Sequence, residues 1–163
     1  MGTANTFGAA FAKAQFAANQ ALPKHGNVFI SVNDFDKRTV HVVAQKLAEL
    51  GFKLLATKGT AKVLREHGIE VAVVDKHHEG QNNALTLLKK NEINLIINTP
   101  SGKKSQSDMR SIRAASILHN IPCITTLQGA WAAVYGIEAS LKEAFTVESL
   151  QDLYLADNQE VKS

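Results

Sequence analysis

Short apolar runs alternate along this chain with stretches in which apolar residues recur at every third or fourth position. The runs are NVFISV at 27–32, KLLAT at 53–57, EVAVV at 70–74, NLIIN at 94–98 and CITT at 123–126. Between and after them lie helical patterns at about 36–50, 60–67, 82–90, 108–119 and 128–136. In the first of these, Val40, Val43, Ala44 and Leu47 share one face, and Gly51 supplies the stop. Repeated strand and helix units of this length predict an α/β fold, a parallel five-stranded sheet flanked by helices. Residues 3–22 form a separate pattern, with Phe7, Phe11, Ala14 and Ala18 at helical spacing and Asn5 or Thr6 as cap. Pro23, Lys24, His25 and Gly26 then break it, which marks a linker. The expected organisation is therefore an N-terminal helix and linker over 1–26 and a main domain over 27–156. AFTV at 144–147 is a candidate edge strand, ESLQDLYLA at 148–156 a last short helix, and 157–163 a frayed tail.

Composition narrows the class. A chain of 163 residues that is 45% hydrophobic suits one domain with a real core. Neither a membrane-spanning run nor a signal peptide is evident, and the single Cys123 allows no internal disulfide, so a cytoplasmic setting is expected. Net charge is +3, an excess that favours anionic ligands only where lysines converge. There is no basic stripe, aromatic RNA-binding signature or zinc-finger spacing, which argues against nucleic acid as partner.

In open α/β sheets ligands bind beyond the carboxyl ends of the strands. The segments there are Ser31 with NDFDK and Lys37, Thr57-Lys58-Gly59-Thr60, Asp75 to Gly80 with Lys76, Asn98-Thr99-Pro100-Ser101-Gly102, and Thr125-Thr126-Leu127-Gln128-Gly129. T-K-G-T is the sharpest local signal. A glycine admits close approach, the hydroxyls donate, and the start of a helix directs free N–H groups at an anion. The same tetrapeptide would also serve as a cap and a turn, but Lys37 and Lys76 on neighbouring loops favour a phosphate. N-T-P-S-G offers an amide and hydroxyls suited to a base or ribose, and is also an ordinary turn. His77 and His78 lack a third ligand at metal spacing, and Cys123 lies in an apolar strand, so metal and nucleophile readings fall away. G-x-G-x-x-G and G-x-x-x-x-G-K-[ST] are both absent, and no His, carboxylate and nucleophile set is evident. Asp34, Asp36, Asp75, Glu79 and Asp108 are each explicable as caps, first-turn acids or lysine partners. The constellation suits holding an anion rather than cleaving a bond.

FISVNDFDK, GFKLLATKGTAKVLREHGI, VDKHHEG, INLIINTPSG, SDMRSIRAASILHNIP and TTLQG occur in an order and spacing that resembles the methylglyoxal-synthase-like domain, nearest to its version at the C-terminus of the carbamoyl phosphate synthetase large chain. TFGAAFAKAQFAANQ is similar to the helix that ends the preceding synthetase domain there. The resemblance implies an excised allosteric regulatory domain of an ATP-dependent ligase of arginine and pyrimidine biosynthesis, without chemistry or cofactor of its own. Its effector would be UMP or IMP. Its partners would be the remaining synthetase domains and the glutaminase small chain, with self-association through the N-terminal helix a further option. Carried over by residue, the effector phosphate would meet Lys37, Thr57, Gly59, Thr60 and Lys76. Ser31, Asn98, Thr99, Asp108, Ile112 and Thr126 would surround the rest of the nucleotide.

The chain departs from the bacterial pattern at Pro100, where a threonine contacts the effector, and at Cys123-Ile124, where Tyr-Asp adjoins the ornithine site, which leaves ornithine activation open. Two enzymes of similar fold are the alternatives. Methylglyoxal synthase carries G-G-D-Q-Q and a histidine where this chain has Glu79-Gly80-Gln81-Asn82-Asn83 and Ser105. Inosine monophosphate cyclohydrolase carries a K-T-L-H-P motif that is absent here.

Overall fold

Strands β1 (Asn27–Ser31), β2 (Lys53–Ala56), β3 (Ala72–Val73), β4 (Leu95–Asn98) and β5 (Cys123–Ile124) form one parallel sheet in the order β3-β2-β1-β4-β5. The computed structural model describes residues 1–75, 83–99 and 102–142 and positions 146, 149 and 151, with only the backbone of 102–109. The expected α/β fold is the observed one. Helices α1 (Phe7–Ala17), α2 (Val40–Glu49), α3 (Lys58–Glu66), α4 (Ala84–Lys89), α5 (Gly102–Leu118) and α6 (Leu127–Lys142) accompany the sheet. Among the described residues no helix is long and apolar enough to cross a membrane.

Side-chain alternation divides the core into two layers. Val28, Ile30, Leu54, Leu95 and Ile97 face α2, α3 and α6, where Val43, Leu47, Leu64 and Ile137 complete one cluster. Phe29 and Ile96 point the other way, into a second cluster with Ala84, Leu88 and Ile112 of α4 and α5. The chain runs β1, β2, β3 toward one edge, then returns to place β4 and β5 on the far side of β1. The direction of winding therefore reverses between β1 and β4, the place beyond the carboxyl ends at which open α/β sheets take their ligands.

Differences from the sequence expectation have identifiable physical causes. The helix expected at 36–50 is broken into a 3-10 turn, Asp36–Arg38, and α2. Asn33 Oδ1 accepts from the Asp36 amide at 2.9 Å and caps the turn, and the break falls at Thr39, whose φ of -125° leaves the helical range. Gly51, at φ +89°, ends α2 as expected. The expected strand at 70–74 shrinks to Ala72–Val73, an edge position paired on one side only. α6 outlasts its predicted end because Gly136, Ile137 and Ser140 are buried. Part of that burial is against α1: a Cβ on Gly8 would lie 2.5 Å from Tyr135 O, so the glycine permits near backbone contact. Thr6 caps α1, accepting from the Ala9 amide at 3.3 Å. Phe11 packs on the core, whereas Phe7 and Phe16 stay exposed. The segments expected at 144–147 and 148–156 fall almost wholly outside the described residues.

Candidate functional site

At the reversal point Ser31 of β1 is paired with Asn98 of β4, the last residue of each strand. By alternation both side chains share the face of Phe29 and Ile96, toward α5, where Ile112 is fully buried in the same layer. Asn98 is 1% exposed, and among the described residues neither its Nδ2 nor its Oδ1 has a hydrogen-bond partner. An amide buried without partners costs free energy, about 1–3 kcal/mol for each unsatisfied group. At a strand end on this side of the sheet, such an amide is completed by a partner from outside the chain, water or ligand.

The loop after β1 is tied down by its own polar groups. The Asn33 amide donates to Thr99 Oγ1 at 3.0 Å, Asn33 Nδ2 donates to Asp36 Oδ2 at 2.8 Å, and the Lys37 amide donates to Asn33 O at 3.1 Å. This network sets the base of the Lys37 side chain. The Lys37 ammonium stands 2.6 Å from Asp34 Oδ1, and a Cβ on Gly59 would lie 3.1 Å from the same nitrogen. The hydrogen bond and the charge of Lys37 hold the Asp34 carboxyl below its ordinary range.

Gly59 is the second residue of α3, and its φ lies outside the left-handed region. A turn is therefore not what this position needs; the space in front of Lys37 is. Thr57 sits at the N-cap in extended conformation, but its side chain does not cap the helix. Its hydroxyl donates instead to Thr60 Oγ1 at 3.3 Å, which also accepts from the Val32 amide at 3.3 Å. The amides of Lys58, Gly59 and Thr60 precede the first intrahelical bond, from the Ala61 amide to Thr57 O at 2.8 Å. Donors at a helix start and an ammonium beside a glycine together suit an anion.

Lys37, Thr57, Gly59 and Thr60 thus stand together, as do Ser31, Asn98 and Thr99, on adjacent strand ends. Thr126 follows β5, and its hydroxyl accepts from the Gly129 amide at 3.0 Å as a cap of α6. Lys76, the side chain of Asp108, Pro100, His77 and His78 lie outside the described residues. Sequence reasoning missed Asn33 as the organiser of the loop; the N-x-x-D spacing was its signal. Burial pushes the Cys123 thiol up, which suits packing rather than nucleophilic chemistry. A concavity of about 670 Å³ between α3 and β3 reaches Gly59 and is lined by Lys58, Lys62 and Arg65. A larger one, of about 800 Å³, lies at the amino ends of the strands beside Asn27 and Lys53. Volume alone does not mark the site.

Over 157 residues the chain is 50% identical to a carbamoyl phosphate synthase large chain from Rubrobacter xylanophilus, spanning 96% of this chain and 15% of that protein. It is 49% identical over 158 residues to the C-terminal section of the carbamoyl phosphate synthase large chain of Methanopyrus kandleri, spanning 96% of this chain and 29% of that one. The chain therefore spans less than a third of the length of either relative. Among solved structures, a methylglyoxal synthase from Elizabethkingia anophelis superposes with a TM-score of 0.57 at 17% identity, covering 78% of this chain and 97% of that one, a likeness of fold. The family model described as the MGS-like domain matches residues 39–125, and the chain belongs to that family.

Proposed function

We propose that this chain is the regulatory portion of a carbamoyl phosphate synthase large chain and binds a nucleoside monophosphate, UMP or IMP, at the carboxyl ends of β1, β2 and β4. The observation that carries the reading is the Lys37 ammonium facing Gly59 at the start of α3, beside strand ends where a buried Asn98 lacks partners. The phosphate lies against Lys37 and the Thr57–Thr60 start of α3, and Lys76, three positions after β3 in sequence, is a further partner in this reading. Ser31, Asn98 and Thr99 meet the nucleoside, with Asp108, Ile112 and Thr126 around it. The domain performs no chemistry. It acts through the other domains of the large chain and the glutaminase small chain, in the cytoplasm.

Isothermal titration with UMP and IMP tests this. A charge-assisted hydrogen bond contributes about 1.5–3 kcal/mol, so Lys37→Ala is expected to weaken binding roughly ten- to a hundredfold. Lys142→Ala is the control, because Lys142 pairs with Glu138 on α6 at 2.9 Å. Equal binding by the two variants, or no binding by the wild type at millimolar nucleotide, sinks the reading. Turnover of dihydroxyacetone phosphate above a buffer blank would restore the enzyme alternative.

A further inference from the structure

We propose that Asp34 is a tethered counter-ion that occupies the Lys37 ammonium in the ligand-free state and must release it when an anion binds. The inference rests on the anion site proposed above and concerns what guards it. Lys37 Nζ and Asp34 Oδ1 are 2.6 Å apart, while the Asp34 side chain is 91% exposed and the Lys37 side chain 27%. The carboxylate thus stands on the solvent side of a partly sheltered ammonium, which also faces Gly59. An anion approaching α3 would share that ammonium with a second negative charge, and like charges around one cation repel.

Being attached three residues away, the carboxylate competes at an effective concentration of about millimolar or more. Stray monoanions at lower concentration then lose to it. A phosphate that also gathers the amides at the start of α3 displaces it. The loop does not depend on this pair, because the Asn33, Asp36 and Thr99 bonds hold its backbone. Removing the Asp34 carboxylate therefore removes a competitor and leaves the loop standing.

Titration with inorganic phosphate and with UMP on the whole chain tests the idea. Asp34→Asn is expected to tighten phosphate binding about two- to fivefold at low salt, the scale of an exposed ion pair. The gain shrinks at about 0.5 M salt, and Asp34→Glu returns affinity toward the wild type. In a Lys37→Met background Asp34→Asn has no effect, a coupling that a loss of general negative charge would not produce. Unchanged or weaker binding by Asp34→Asn, or a gain that persists without Lys37, overturns the inference and leaves the nucleotide reading standing. A phosphate gain without any UMP binding supports the inference and sinks the nucleotide reading, and a wild type that takes neither ligand overturns both.

Discussion

Replacing Gly59 with alanine separates a glycine needed for shape from one needed for space. At this position the backbone is that of an ordinary helix, so alanine brings no strain, and helix propensity favours it by up to about 1 kcal/mol. Among the described residues the added methyl has one neighbour to disturb, Lys37. It would lie 3.1 Å from Lys37 Nζ and 3.6 Å from Lys37 Cε, the flexible end of a side chain, which can withdraw by a few tenths of an ångström. Folding stability is thus expected to hold or rise slightly. Binding fares differently, because the methyl fills the space where a phosphate oxygen would touch both the ammonium and the helix amides. Losing one charge-assisted contact, about 1.5–3 kcal/mol, weakens affinity roughly ten- to a hundredfold. Urea denaturation reads the first quantity and calorimetric titration with UMP and phosphate the second. Undiminished binding by Gly59→Ala, alongside a weak Lys37→Ala, would show that the anion lies elsewhere along the lysine and that the glycine serves only the fold.

The other expectations address the remaining polar groups and the N-terminal helix. Asn98→Leu removes an unpartnered buried amide and is expected to raise ligand-free stability by about 1–3 kcal/mol while abolishing ligand-dependent stabilisation in thermal melts; a destabilised variant would show that the amide is satisfied in solution. Thr60→Val leaves the Val32 amide without its acceptor and is expected to cost about 1–3 kcal/mol in urea titration, since Thr60 is fully buried. The carboxyls of Asp34, Glu49 and Glu138 are held below their ordinary values of 3.8, 4.5 and 4.5 by Lys37, Lys46 and Lys142. Their folded-state values are depressed, so their contribution is present above those ordinary values and lost as pH falls through the folded ones. All three carboxylates are exposed and only Lys37 is partly sheltered, so the loss is small and disappears in about 1 M salt; a pH dependence indifferent to salt would assign it to other groups. A chain lacking residues 1–24 is expected to keep the sheet, with lowered stability because Ala12, Phe11 and Leu22 leave the α6 surface. Loss of its folded circular dichroism would make α1 part of the core.

What the sequence discloses and what it hides differ by the range of the interaction responsible. The strands were legible because both faces of a parallel sheet are covered, and NVFIS and LIIN therefore run apolar without alternation. The ends of α6 and β3 were not, since one is set by α1 packing at Gly8 and Gly136 and the other by an edge with a single neighbour. Strand order was equally hidden, and with it the pairing of Ser31 and Asn98 at the reversal point. The same division applies to the site. Lys37 and T-K-G-T could be found because they follow apolar runs, but a local pattern cannot say whether a threonine caps its helix. Thr57 stands at the cap position and gives its hydroxyl to Thr60 instead. Gly59 is helical where a turn would have explained it, and Asn98 is buried where a surface loop would have satisfied it. Each is a place where the fold by itself would prefer another residue: a better helix former, an apolar strand end. Departures from local consistency that gather at one end of one sheet are what the proposed binding site accounts for.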